Sequence, residues 1–208
     1  MSRCPHCNAP LAIPLACAAC GRLVAAEREL SPFETFGIEP RFDVDASALQ
    51  RTLLRGSRAM HPDFFGAESP EIRALAEENS ARWNAAFDVL SDDVQRADWI
   101  VAFLGGPEPS AERQMPQAFL VEALDWSETL DDARRAPNSA APTLTQLATL
   151  LQDRRRQTLA SIRAHLVPLP AHGAPALRDV RRDLNAIRYF DRALSEIETL
   201  GLARPSVR

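Results

Sequence analysis

Arg51-Thr52-Leu53-Leu54-Arg55-Gly56-Ser57-Arg58-Ala59-Met60-His61-Pro62-Asp63 is the stretch that decides how the first half of this chain is read. On a helical wheel Leu49, Leu53, Gly56 and Met60 fall on one side, and Arg51, Arg55 and Arg58 fall on roughly the opposite side. One face is therefore buried and the other basic. Pro62 cannot extend the helix and biases His61 away from the α region, so His61 is predicted to be the turning point and Asp63 to stand in an exposed loop. A basic helix that ends on an exposed polar tripeptide points to work done by touching another protein.

Working outward, the joints of further helices are legible. Ser31-Pro32-Phe33-Glu34 combines a serine N-cap, a proline at the first helical position and a glutamate placed to complete a capping box. Asp45 can cap the arginine-faced helix, and Ser69-Pro70 opens another whose apolar positions Ile72, Leu75, Trp83, Phe87 and Leu90 recur at helical spacing. The two long helices are expected to pack antiparallel with His61-Pro62-Asp63 at the bend. Ser91-Asp92 starts a helix carrying Ala97, Ile100, Val101 and Leu104, and Gly105-Gly106-Pro107 stops it.

All four cysteines lie within the first twenty residues, as Cys4-Pro-His-Cys7 and Cys17-Ala-Ala-Cys20 with nine residues between the pairs. Each Cys-x-x-Cys turn can point two thiolates at one ion, and two such turns close a tetrahedral site. So short a segment builds no core of its own, so metal binding is expected to supply most of its folding free energy, on the order of 10 kcal/mol. Zinc suits a closed four-thiolate site, and iron suits the same ligands. Four cysteines leave no open coordination position, so the metal is read as structural, and His6 as a solvent-facing turn residue. Two disulfides are the competing reading, and no secretory feature supports the oxidising compartment they need.

The chain has 208 residues, 46% apolar and 25% charged, which fits one or two modest globular domains. A net charge of -4 sets up no global field toward nucleic acid or anionic lipid, so any basic contact is local. No apolar run reaches the roughly 20 residues of a membrane span and the N-terminus lacks the layout of a signal peptide, so a cytoplasmic location is the default. All 24 basic residues are arginine. Schiff-base, pyridoxal-phosphate and phosphate-loop lysine chemistry are thereby excluded.

Residues 107–114 read as a short Gly, Pro, Glu and Ser linker. Beyond it three helical stretches run approximately over Pro116 to Ala133, Thr143 to Leu166 and Ala176 to Leu200, broken by Pro137, Pro142, Pro168, Pro170 and Gly173. A three-helix bundle is the simplest closure. Nothing alternates with strand period, so strands are expected only in the cysteine module, and short. The fold class is thus mainly α, with a small zinc-ribbon-like N-terminal module. The first helix of the bundle carries more apolar residues than one buried face needs. Phe119, Ala123, Trp126 and Leu130 form one stripe, while Leu120, Val121 and Leu124 form a second, bordered by Asp125, Glu128 and Asp132. The second stripe is either a spare surface for a partner or the contact with another neighbouring helix.

These features together resemble the J-domain co-chaperones, and within them the HscB type that serves iron–sulfur cluster assembly. The likeness is carried by Phe33-x-x-Phe36-Gly37, His61-Pro62-Asp63-Phe64-Phe65, Asn84-x-Ala86-Phe87-x-x-Leu90-Ser91-Asp92, Arg96-Ala97 with Trp99, Phe119-Leu120-Val121-Glu122-x-Leu124 and Arg188-Tyr189-Phe190. The paired cysteines are similar to the N-terminal metal module of some members. The resemblance implies four segments: a metal module (1–30), a J-domain (31–106), a linker (107–114) and a bundle that binds the scaffold (115–208). It implies that Arg51, Arg55, Arg58, His61, Pro62 and Asp63 contact a DnaK/HscA-like chaperone and stimulate its ATPase. It also implies that Leu120, Val121, Leu124, Asp125, Glu128, Asp132 and Tyr189 contact an IscU-type scaffold protein, with Cys4, Cys7, Cys17 and Cys20 holding zinc.

Asp125 and Asp132 stand where some members have glutamate, and the shorter carboxylates are expected to weaken that contact. Phe64 stands where some bacterial members have a lysine, so one basic chaperone contact is expected to be absent. No nucleophile or phosphate cradle accompanies His61 and Asp63, so the chain is read as a non-enzyme. Two rival readings stand beside this one. A J-domain co-chaperone with another client differs only in what the bundle binds. A nucleic-acid-binding zinc ribbon would have Arg3, Arg22 and Arg28 near the cysteines, without interleaved aromatics.

Overall fold

A computed structural model describes residues 3–110, 115–136 and 139–202. Their helices are α1 (Pro32–Phe36), α2 (Ala46–Met60), α3 (Pro70–Ser91), α4 (Asp93–Phe103), α5 (Gln117–Arg135), α6 (Ala141–Leu166) and α7 (Ala176–Leu202), with a one-turn 3-10 helix over Pro62–Phe65. The chain divides into two compact units, Met1–Ile100 and Val101–Arg208. Among the described residues no helix is long and apolar enough to cross a membrane.

In the first unit the expected caps form. Ser31 accepts the Glu34 amide while the Glu34 carboxylate accepts the Ser31 amide, and Gly37 ends α1 at a φ of 67°. Asp45 accepts the amides of Ser47 and Ala48, Ser69 accepts that of Ile72, and Asp92 accepts those of Val94 and Gln95. Each satisfies a donor that the first helical turn leaves without an intrahelical partner.

Leu49, Gly56 and Met60 of α2 are buried on the side that packs on α3, as the wheel predicts, and Leu53 of the same predicted face is half-buried. The inner face of α3 differs from the expected one. It consists of Ala76, Asn79, Trp83, Ala86 and Leu90, while Ile72 is exposed. Small residues at 76 and 86 let neighbouring segments approach α3 closely, and Ile72 falls in its outermost turn. The Trp83 indole stacks on Phe36 with ring centroids 4.2 Å apart and donates from Nε1 to the Leu53 carbonyl at 3.1 Å. It lies directly over Gly56.

One further polar anchor in this unit is not suggested by apolar periodicity. Arg96, buried on α4, donates from Nε to the Phe42 carbonyl at 2.7 Å, bonds the Leu90 carbonyl and Asp93 as well, and sits over the Phe42 ring. It ties the segment before α2 to the α3–α4 junction with its charge fully engaged.

The second unit contains α5, α6 and α7, with α6 and α7 making the main packing and α5 lying against both. Leu144, Leu147, Leu151, Ile162 and Leu166 of α6 meet Leu177, Val180, Leu184 and Ile187 of α7 in its core. An aromatic cluster seats α5. Phe119 lies edge-on to Trp126, Tyr189 and Phe190 at centroid separations of 5.7, 5.3 and 5.8 Å. Gly105 ends α4 at a φ of 71°, and Arg181, wholly buried, donates to the Pro107 carbonyl at 2.8 Å. Of the expected linker, 111–114 lie outside the described residues, as do Pro137 among the helix breakers and 203–208 at the end of the bundle.

No strand forms in the cysteine module among the described residues. Where short strands were expected there are isolated bridges, Arg3 to Pro10, Ile13 to Ala16 and Ala16 to Leu23. The two cysteine turns consume most of the segment, and Pro10 and Pro14 lack the amide donors a ladder needs.

Candidate functional site

The cysteine module is built as two copies of one turn. In the first, the Asn8 amide donates to the Cys4 carbonyl and the Cys4 amide to the Ala9 carbonyl; in the second, Gly21 donates to Cys17 and Cys17 to Arg22, all at 2.9 Å. The residue after each second cysteine takes a left-handed conformation, Asn8 at φ 59° and Gly21 at φ 70°. Glycine and asparagine are the residues that tolerate it.

The turns bring all four Sγ atoms within 4.8 Å of one another. Cys4 lies 3.7 Å from Cys20 and Cys7 lies 3.6 Å from Cys17, and all four thiols are free. Those separations exclude disulfides in this arrangement, whose sulfurs would be about 2.05 Å apart. They match the edge of about 3.8 Å of a tetrahedron with metal–sulfur bonds of about 2.3 Å. The donor set therefore fits a metal ion.

The electrostatics agree. The Cys20 and Ala19 amides hold the Cys17 thiol down at about 7. Cys7 is pushed up to about 12, the Ala9 amide being outweighed by burial and the three neighbouring sulfurs. Four sulfurs this close cannot all be anionic without a cation among them. The ring of His6 is exposed and meets Arg22 at 3.4 Å, so His6 is a turn residue as expected.

The module docks on α3 through a residue that sequence reasoning missed. Asn79, buried on α3, donates from Nδ2 to the Leu15 carbonyl at 3.0 Å and to the Val24 carbonyl at 3.1 Å. Leu15 and Leu23 are buried around it. An asparagine in an otherwise apolar helical stripe was the available signal.

At the other end of α2, His61 leaves the helix with extended backbone (φ -63°, ψ 127°) and caps the 3-10 turn. Its Nδ1 accepts the Asp63 amide at 3.3 Å and lies 3.6 Å from Asp63 Oδ2. Asp63 thus belongs to a 3-10 turn rather than an open loop, because Pro62 supplies the right φ for a first helical position. His61 and Asp63 are exposed and Pro62 is half-buried.

Arg51, Arg55 and Arg58 are exposed on the same helix, and among the described residues none of them is paired with a carboxylate. Elsewhere the arginines are mostly engaged: Arg82 with Glu78, Arg154 with Glu122, Arg155 with Asp191 and Arg182 with Asp179. The basic face of α2 thus carries charge that no carboxylate among the described residues neutralises by pairing.

In the second unit Trp126 and Leu130 of α5 are buried, while Leu120, Val121 and Leu124 are 41%, 52% and 63% exposed. Among the described residues of the unit no further helix buries this second stripe, which overturns the alternative of a second helix contact. Leu120, Leu124 and Tyr189 line a groove of 570 Å³ between α5 and α7, together with Trp126, Leu130 and Ala193. Asp125, Glu128 and Asp132 are exposed on α5, and Asp132 pairs with Arg135 at 3.0 Å. The α7 wall adds Arg192 and the Arg134–Glu196 ion pair, so the rim carries both signs of charge rather than acids alone.

Residues 115–198 match the family model of the HSCB C-terminal oligomerisation domain. A co-chaperone protein HscB homolog of Bordetella petrii is 36% identical over 134 residues, 62% of this chain and 76% of that protein. Another, of Paraburkholderia xenovorans, is 30% identical over 171 residues, 81% of this chain and 93% of that protein. The crystal structure of human co-chaperone protein HscB shares the fold with a TM-score of 0.78, at 20% identity, covering 98% of this chain and all of that one. Relatives of this kind extend over both units, and the second unit answers to the family's own domain: the chain belongs to the HscB family of co-chaperones.

Proposed function

We propose that this chain is a J-domain co-chaperone that stimulates the ATPase of a DnaK/HscA-like chaperone and brings to it an IscU-type scaffold protein, promoting iron–sulfur cluster assembly in the cytoplasm. The observation that carries the first part is the His61-Pro62-Asp63 turn, with His61 and Asp63 exposed, at the end of a helix whose three arginines have no carboxylate partner among the described residues. Such a face meets an acidic surface, favouring fast, salt-sensitive and transient docking over tight binding. The chain itself is no enzyme in this reading; Arg51, Arg55, Arg58, His61, Pro62 and Asp63 act on the catalytic machinery of the partner.

The second part rests on the bundle. Leu120, Val121 and Leu124 present apolar area, Tyr189 closes the groove, and Asp125, Glu128 and Asp132 select the partner by charge. The working division is a metal module over 1–30, a J-domain over 31–106, a linker over 107–114 and the scaffold-binding bundle over 115–208. Cys4, Cys7, Cys17 and Cys20 hold a structural zinc ion, the ion that best suits a closed thiolate tetrahedron.

Single-turnover ATP hydrolysis by the DnaK-like chaperone of the same cell tests the reading. The expected result is stimulation by the wild type that grows with scaffold and is lost in His61→Gln. Stimulation that ignores the scaffold would leave a J-protein with another client, and stimulation that survives His61→Gln would end the chaperone assignment. For the bundle, Leu120→Ala combined with Leu124→Ala is expected to weaken scaffold binding at least about tenfold in calorimetry with only a small drop in melting temperature, since both side chains are already partly in water. Unchanged affinity would remove the groove from the scaffold interface.

A further inference from the structure

The face of α2 that carries Arg51, Arg55 and Arg58 is not purely basic. Leu54 lies one turn from both Arg51 and Arg58 on the same side of the helix, and it is 51% exposed. Beyond the helix end, Phe64 is 70% exposed, the ring standing edge-on to His61 with centroids 6.0 Å apart. The largest apolar side chains of this face thus stand in water at the two places where the basic stripe and the His61 turn would meet a partner. Among the described residues of the first unit neither side chain is buried, and the 3-10 turn buries none of its residues.

We propose that Leu54 and Phe64 are apolar contact residues for the chaperone, so that the receiving surface is an acidic patch containing an apolar socket rather than an acidic patch alone. This inference rests on the chaperone-docking reading above and deepens it. The physical reason is a division of labour within one face. Arginines that remain partly hydrated steer encounter and orient the complex but add little net affinity. An aromatic ring brought out of water beside them holds the bound complex together, and aromatic side chains ringed by polar groups are where interfaces concentrate their energy. Since His61 carries the stimulating contact, losing Phe64 slows no step after docking. It raises the amount of co-chaperone needed.

The test is a titration of single-turnover ATP hydrolysis by the chaperone with the full chain and with Phe64→Ala, Leu54→Ala, the double variant, Phe64→Leu, Phe64→Lys and His61→Gln, at two salt concentrations. The expected result for the double variant is a half-stimulating concentration about tenfold or more higher with the maximal rate retained. Phe64→Leu should restore most of it, and Phe64→Lys should bind with a visibly steeper salt dependence. If His61→Gln abolishes stimulation while the double variant titrates like the wild type, the apolar contact is overturned and the docking reading stands. If His61→Gln stimulates normally, that reading itself has failed. A lower maximal rate at unchanged half-stimulating concentration would mean that Phe64 only positions His61, which also overturns the proposal. So would a change in self-association, seen by sedimentation of the variants without chaperone.

Discussion

Gly56→Ala should destabilise the first unit by about 3 kcal/mol, although alanine is the better helix former by about 1 kcal/mol. A β-carbon at position 56 would stand 2.1 Å from Cε2 of Trp83 and 2.3 Å from Cζ2. The indole has nowhere to go. It is buried, stacked on Phe36 on one side and tied to the Leu53 carbonyl through Nε1. Either the ring leaves its hydrogen bond and stack or α2 moves away from α3, and both expose core. The measurement is thermal unfolding followed by tryptophan fluorescence, with a drop in midpoint of more than about 10 °C expected for a domain of this size. A double-mutant cycle isolates the cause. In a Trp83→Leu background the same glycine substitution should cost little, because the obstructing ring is gone. An equal cost in both backgrounds would show that helix geometry, not the indole, requires glycine there.

Stripping the metal is expected to cost the cysteine module its fold, with an apparent loss on the order of 10 kcal/mol, and to loosen α3 as well. The link is Asn79. Its amide nitrogen has the Leu15 and Val24 carbonyls as acceptors, both inside the module, and Leu15 contributes a fully buried side chain to the same junction. When the module unfolds, a buried amide donor loses its partners at a cost of about 1–3 kcal/mol, and apolar area is returned to water. Hydrogen exchange in α3 around Asn79 should therefore accelerate after chelation or in Cys4→Ser. Asn79→Ala should cost about 2 kcal/mol in the metal-loaded protein and much less in the stripped one, where the carbonyls are already hydrated. Equal costs in the two states, or α3 protection indifferent to chelator, would show that module and helix fold independently.

How much of this was legible beforehand varied with the kind of interaction. Helix boundaries were readable because caps are local: Ser31, Asp45, Ser69 and Asp92 each satisfy amides two or three residues away. The cysteine site was readable because its ligands are close in sequence and their chemistry admits few uses. The arginine face was readable because helical period separates it from the apolar side. Periodicity failed at α3. It ranks positions by hydrophobicity and so favoured Ile72 over Ala76 and Asn79, although a small residue and a hydrogen-bonding one are what the inner face of α3 buries. The same weakness hid Arg96 and Arg181, charged residues that lie in the interior because their donors meet backbone carbonyls there.

By itself, the sequence determined the elements and the chemistry they carry: the helices of the described residues with the side-chain caps of the first four, a four-thiolate cluster, and an exposed turn at His61. Each depends on neighbours along the chain, within one or a few helical turns, where backbone geometry leaves little freedom. Only the tertiary structure decided which surfaces stay open and which polar groups go inside. That Leu120, Val121 and Leu124 stay partly in water, that Arg51, Arg55 and Arg58 find no carboxylate among the described residues, and that Asn79 holds the cysteine module to α3 all depend on residues far apart in the chain. Burial and pairing are relations between segments, and no local pattern contains them.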